Sequence, residues 1–360
     1  MQQAVAELRP AVTAEVLGSW RRLAGSFAAV GHEVAAFFDV GADLLAHGKR
    51  LRASFASAGW RSLGGEPLAA AEVRLGSGLE LFQVAALVHD DLMDGSLTRR
   101  GRPSAHRQFA HHHDEIGLVG GATRFGEAGA VLLGDLLLVA AQAELDGALG
   151  LVGVEPGSRG RRLVEEMMAE VTVGQFLDIY AQSAPWSEDP AVDLDRARRD
   201  NRSKSARYSV EHTLVIGAAM AGAGDDALAR LRAVGLPIGE AFQLRDDVLG
   251  VFGDPSTTGK PAGDDLREGK RTVLVTLAMT LANPADRAML RTAVGNPDLT
   301  LDDVTQIRAI LTECGALDAV EDLIAERYRT GLDALAATGL GQQQQAHVAA
   351  IADAAIVRNA

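Results

Sequence analysis

The chain has 360 residues, of which 47% are hydrophobic and 23% charged, enough apolar material for a sizeable core. Its 35 Lys and Arg face 48 Asp and Glu, a net charge of −13, which argues against a protein that binds nucleic-acid duplexes by neutralising phosphates and against a polybasic membrane anchor. The single cysteine, Cys314, excludes an intrachain disulfide framework and a cysteine-based zinc cluster, so a reducing, cytoplasmic setting is the expectation.

Residues 1–20 carry Glu7, Arg9 and Glu15 among their apolar positions, unlike a secretory signal. Apolar residues then recur at three- and four-residue steps through 75–94 (Leu75, Leu79, Phe82, Ala86), 132–145, 163–176 and 210–220, the period of a helix. Aromatics are only 4%, alternating strand patterns are scarce, and Ala and Leu favour helix. The longest apolar run, 128–143, is interrupted by Asp135, so no run of bilayer length and no stable membrane insertion are expected. Breaks fall at 64–67, 147–160 and 183–190, and two polar loops at 95–103 and 253–270; long loops of this kind are usually functional or disordered. With no linker and no repeat period, the prediction is a single all-α domain over 1–360, a large helical bundle with shorter helices from about residue 286 packed on it.

The chemistry gathers at helix ends. In His89-Asp90-Asp91-Leu92-Met93-Asp94, Asp90 and Asp94 are four apart and project from one helix face, after the apolar run 84–88. Oxygen-only ligands of this kind suit Mg²⁺, although a solvated helix end is the plainer reading of one such motif. Three arginines follow at once, Arg99, Arg100 and Arg102, and an earlier basic knot reads Gly48-Lys49-Arg50-Leu51-Arg52; arginine forks and lysine point charges both suit phosphate. Far downstream Phe242-Gln243-Leu244-Arg245-Asp246-Asp247 repeats the pattern, followed by Thr258-Gly259-Lys260 and a basic run to Lys270-Arg271. Two acidic helix ends, each followed by basic residues, point to a metal-bridged polyphosphate site.

Over roughly residues 43–272 the chain resembles the trans-isoprenyl diphosphate synthases, most closely the bacterial geranylgeranyl type. The resemblance rests on five ordered elements: Gly48–Arg52, the first aspartate motif with Arg99-Arg100-Gly101, Gly174-Gln175-Phe176-Leu177-Asp178, Lys204-Ser205, and Phe242–Asp247 with Thr258-Gly259-Lys260. It implies a class I isoprenoid synthase bundle with a central cavity, usually a homodimer, that joins isopentenyl diphosphate head-to-tail to an allylic diphosphate. Asp90, Asp94 and Asp246, helped by Asp247, are then expected to hold three Mg²⁺ ions, and Arg99, Lys204 and Lys260 to neutralise the allylic leaving group. Lys49, Arg52, Arg100 and Gln83 are expected to hold isopentenyl diphosphate, with Lys204-Ser205 and Gln243 facing the carbocation. Asp90, Asp94, Lys204 and Asp246 are thus the expected catalytic set.

Gly250 stands where the fuller family pattern has a third aspartate, which puts the third metal site in question, and Asp254 lies near the same face only if the helix runs that far. Ala85 and Ala86, five and four residues before Asp90, are small; Phe82 lies roughly 4.5 Å further along the axis, about one isoprene unit. An open pocket at 85 floored by Phe82 predicts a C20 product, geranylgeranyl diphosphate. If Phe82 is only core, C25 or longer products follow, and a farnesyl (C15) synthase is the shorter alternative. A terpene cyclase lacks a use for Lys49 and Arg52, and a non-catalytic synthase subunit lacks a reason to keep its aspartates. The run His111-His112-His113 reads as a solvated loop.

Overall fold

The computed structural model describes residues 2–254 and 262–357. Helices dominate them. By internal contacts the chain divides into two compact units, the first made of residues up to Glu165 with Thr213–Leu228 and Gly341–Ile351, the second of Glu166–His212, Ala229–Leu340 and the residues from Ala352.

In the first unit α1 (Gln2–Phe27) buries Leu8, Val12, Val16 and Trp20 at four-residue steps. The Trp20 indole N–H donates to the Phe38 carbonyl of α2 (Val34–Ala46) at 2.9 Å. α3 (Leu51–Ser62) and α4 (Ala70–Met93) follow. α4 buries Leu75, Leu79 and Phe82 of the period foreseen, with Ala85 rather than the half-buried Ala86 as the next buried position, and packs against α6 (Ala122–Leu149). The buried α4 glutamates each have a cation: Glu72 pairs with Arg61 at 2.6 Å and Glu80 with Arg50 at 3.4 Å, as buried charges require.

Three expectations are corrected here. The loop at 95–103 contains a two-stranded hairpin, β1 (Thr98–Arg99) paired antiparallel to β2 (Arg102–Pro103). Arg100 and Gly101 at its tip have φ of 55° and 75°, the positive pair that a two-residue type I′ turn needs. The three histidines lie on α5 (Ala105–Glu115), not in a loop, and His113 is buried against the Phe125 ring, 5.4 Å between centroids. α6 is, by length and composition, long and apolar enough to cross a membrane. Core helices pass the same test, and α6 is packed on α4 and α5.

The second unit contains residues 166–183 of α7 (Val154–Ser183), α8 (Pro190–Asp200), a π-helix (Asn201–His212) and residues 229–252 of α10 (Asp225–Phe252). α9 (Thr213–Met220), which continues the π-helix in sequence, belongs to the first unit. Then come α11 (Asp264–Arg267), α12 (Val273–Leu281), α13 (Pro284–Ala293), α14 (Leu301–Glu313) and α15 (Ala316–Ala336). Their starts are written in the sequence: Thr272 and Asn283 cap α12 and α13, and Thr300 with Asp303 makes a capping box on α14. α16 (Gln342–Ile356) completes the helices. Because α10 ends at Phe252, Asp254 lies beyond the helix and does not share the face of Asp246.

Candidate active site

In the first unit the aspartates close α4. Asp90 and Asp91 lie in its last turn and Asp94 is its C-cap, with its N–H on the Asp90 carbonyl at 2.8 Å. The three acids do different things. Asp91 is turned inward, its side chain 4% exposed, and accepts from Arg99 Nε at 2.8 Å. Asp90 is more open and meets Arg99 at 3.5 Å. The hairpin is folded back over the helix end, with Ser96 N–H on the Asp91 carbonyl at 2.8 Å and Ser104 N–H on that of Leu97 at 3.0 Å. Arg99 is thereby set beside the aspartates, and Arg102 pairs with Asp43.

The same hairpin brings Arg100 to the basic knot. Its guanidinium donates to the His47 carbonyl at 2.7 Å, and a Cβ at Gly48 would lie 3.1 Å from its Nη1. Within the knot, Arg50 is in the left-handed region, buried, and committed to Glu80 and to the carbonyls of Leu45 and His47. Lys49 is exposed and Arg52 half-buried. Gln83, two helical turns before Asp90 and within about 20° of it around α4, is buried with its Oε1 lacking a hydrogen-bond partner among the described residues. A buried orphan acceptor calls for a donor or a cation.

Ala85 is fully buried, and Phe82 nearly so. Both lie on the α4 face that meets α6, the face on which Gly78 approaches Leu145 and His89 approaches Gly134. Ala86 is half-buried and lies within about 40° of Asp90 around the helix.

In the second unit Asp246 and Asp247 lie on α10, one turn after Gln243; they do not end the helix as expected, because α10 continues through residues 248–252. Asp247 is buried and accepts from Gln243 Nε2 at 2.9 Å. Its carboxyl is pushed up to about 8, chiefly by burial; the Gln243 bond pulls the other way, and Asp265, Asp246 and Asp178 add to the rise. Carboxylates crowded in this way suit hard cations as partners. A Cβ at Gly250 would stand on the Asp265 carboxylate, so that acid occupies the space of the side chain missing from the motif. Lys204 Nζ meets Asp178 Oδ2 at 2.5 Å. Neither Asp178 nor Asp265 was singled out in the sequence for a role of its own, although Asp178 closes a quoted motif. Thr258, Gly259 and Lys260 lie outside the described residues.

Asp200, at the end of α8, is raised to about 6 by burial and by Asp178, against the pull of Arg196, Arg199 and Lys204. A folded-state value above the unfolded one of about 4 means that stability is lost as pH rises through this interval, with the full cost present above it. Asp200→Asn is therefore expected to raise stability at pH 7.5 by ~1 kcal/mol after allowance for solvent screening, and so to raise Tm there, while leaving it unchanged at pH 4. Thermal melts at both values check this, and equal Tm at pH 7.5 would contradict the assignment.

Comparison with known proteins gives these clusters a setting. The polyprenyl synthetase family model matches residues 35–311. A geranylgeranyl pyrophosphate synthase of Corynebacterium glutamicum, solved in complex with isoprenyl diphosphate and magnesium, superposes with a TM-score of 0.92 at 34% identity, covering 98% of this chain and 99% of that one. Among curated relatives, a geranylfarnesyl diphosphate synthase of Aeropyrum pernix is 33% identical over 77% of this chain and 79% of its own length. A geranylgeranyl diphosphate synthase of Mycobacterium tuberculosis is 30% identical over 80% and 75%. The chain belongs to the polyprenyl synthetase family and is a trans-prenyltransferase.

Proposed function

We propose that this protein is a magnesium-dependent geranylgeranyl diphosphate synthase, extending allylic diphosphates with isopentenyl diphosphate to C20. The observation that carries the reading is the pairing of acid and base at the end of α4: Asp90 and Asp94 on one helix face, with the Arg99–Arg100 hairpin folded over them. The donor set is all carboxylate, which fits Mg²⁺. Asp90 and Asp94, with Asp246 and Asp247, are the residues that would hold three such ions. When bound they supply Lewis-acid stabilisation of the charge that develops on the leaving diphosphate.

The chain's own groups do the rest. Arg99, Lys204 and Lys260 add fixed positive charge to the leaving group. Lys49, Arg52 and Arg100 hold the second diphosphate, and the amide of Gln83 lies beside it. The Lys204-Ser205 dipoles and Gln243 face the allylic cation, whose C1 is attacked by the isopentenyl double bond; the released pyrophosphate then takes the proton that leaves C2 of the isopentenyl unit. Asp265 gives the second aspartate motif its third carboxylate.

C20 rests on the named products of the synthases from Corynebacterium and Mycobacterium and on the small residues at 85 and 86. Ala86→Phe, on the aspartate side of α4, and Ala85→Phe are each expected to shift product toward C15, read by chromatography of the dephosphorylated alcohols. An unchanged product from both would remove the pocket floor from this helix. Phe125, Leu132 and Val139 form an exposed apolar stripe at seven-residue steps on α6, which suits a second copy of the chain in a homodimer. Leu132→Glu is expected to yield monomers by light scattering. The acidic charge and single cysteine suit the cytoplasm.

The reading is tested by incubating the protein with Mg²⁺, isopentenyl diphosphate and C5, C10 or C15 primers. C20 product from each is expected. Failure to extend any primer defeats the enzyme reading, and hydrocarbon formed without isopentenyl diphosphate favours a cyclase.

A further inference from the structure

Residues 201–212 follow the i→i+5 pattern of a π-helix, twelve residues of a geometry that ordinarily lasts a single turn and often marks functional sites. A helix this wide needs neighbours without side chains, and within the second unit it has them. A Cβ at Gly174 on α7 would lie 2.8 Å from the Lys204 nitrogen; at Gly235 on α10 it would lie 2.6 Å from Glu211 Cα, and at Gly239 2.2 Å from the Ala206 carbonyl oxygen. All three obstacles are π-helix backbone, which cannot swing aside as a side chain can.

Ionic ties fasten the same segment. Arg207 and the fully buried His212 both meet Glu170, at 2.8 and 2.7 Å. Arg232 holds Glu211 at 2.7 Å, and Arg202 pairs with Glu240. His212 to Glu170 and Lys204 to Asp178 are two ties spaced eight residues apart on both helices, in antiparallel order. A π-helix winds roughly 80° per residue against 100° for an α-helix. If the segment tightened to α pitch with His212 anchored, eight residues would turn Lys204 away by roughly 160°.

We propose that Gly235 and Gly239 are positioning residues that admit the π-helix and, with the Glu170 clamp on Arg207 and His212, aim Lys204 at Asp178 and the reacting diphosphate. This rests on the synthase reading for the identity of the diphosphate, while the aim of Lys204 can be read without turnover.

The test has two arms. In the first, acetylation of Lys204 is followed by mass spectrometry against exposed Lys49 as internal reference. Gly239→Ala is expected to raise Lys204 reactivity several-fold as its ion pair with Asp178 is lost, and an unchanged rate overturns the proposal. In the second, kcat and KM for both substrates are measured for Gly239→Ala, Lys204→Ala and the double variant. Gly239→Ala is expected to lower kcat by roughly 10- to 100-fold, and the double variant to fall no further than Lys204→Ala alone, with KM for isopentenyl diphosphate unchanged. Losses that multiply in the double variant overturn the positioning role. Gly224→Ala, whose Cβ meets nothing within 4 Å, serves as the neutral control. If Gly239→Ala does not fold, Glu170→Gln takes its place in both arms under the same criteria. A wild type that extends no primer defeats the synthase reading and leaves the acetylation arm to decide this one.

Discussion

Asp90→Asn is expected to lower kcat by roughly 10²- to 10³-fold with little change in Tm, and Asp91→Asn to lower Tm while retaining most of the activity. The two acids are neighbours in sequence, yet Arg99 separates their roles. Asp91 is buried against the guanidinium, 2.8 Å from Nε. Its neutralisation leaves a largely desolvated arginine poorly matched, a change of ~2–3 kcal/mol once the partial exposure of Arg99 is allowed for. The hairpin is held to α4 partly through this pair, so its loss also loosens Arg100. Asp90 meets Arg99 only at 3.5 Å and shares its face with Asp94. Removing its charge costs the fold little and costs the proposed metal site a ligand. Thermal melts, kcat with saturating Mg²⁺, and Mn²⁺ binding in the presence of pyrophosphate read the two effects separately. Inactive but fully stable Asp91→Asn would reverse the assignment.

What the sequence disclosed and what it withheld follow from the range of the interactions. The helical period of α4 was legible because Leu75, Leu79 and Phe82 repeat within a few residues. The acidic end of α4 and the acidic pair on α10 were legible because like charges after an apolar run are locally unfavourable, although the pair on α10 lies more than a turn before that helix ends, and the residue roles came from the resemblance. Features that depend on distant partners were not legible. Arg50 looks like its basic neighbours until Glu80, thirty residues on, claims it. The hairpin lacks any alternation and depends on two positive-φ residues at its tip, one of them an arginine. The π-helix has no signature of its own, because the glycines that leave it room are on α7 and α10. Trp186 likewise gains its role only in the fold, where its ring carries the Arg271 guanidinium at 4.1 Å, while that arginine donates to the Gln182 carbonyl at 3.3 Å and to that of Ala184.

Gly250→Asp, which restores the aspartate of the fuller family pattern, is expected to damage the enzyme. A side chain at 250 would begin on top of the Asp265 carboxylate, and its Cβ would lie 2.5 Å from Asp265 Cγ. Asp265 has limited room to retreat, since its carbonyl accepts the Lys270 N–H at 3.0 Å and its carboxylate faces the Lys270 ammonium at 3.7 Å. A second carboxylate in this space would also add to the charge that already raises Asp247. The expected cost is ~1–3 kcal/mol of stability from overpacking and roughly a 10- to 100-fold fall in kcat. Asp265→Ala alone should also lose activity and Mn²⁺ binding, because it removes the carboxylate that stands in for the missing one. The informative variant combines the two. Gly250→Asp with Asp265→Ala exchanges which chain segment supplies the acid, clears the collision, and is expected to recover most of the Mn²⁺ binding lost in either single variant. A double variant no better than the worse single one would show that the carboxylate at Asp265 is not interchangeable with one at 250, and that glycine in this motif serves packing alone.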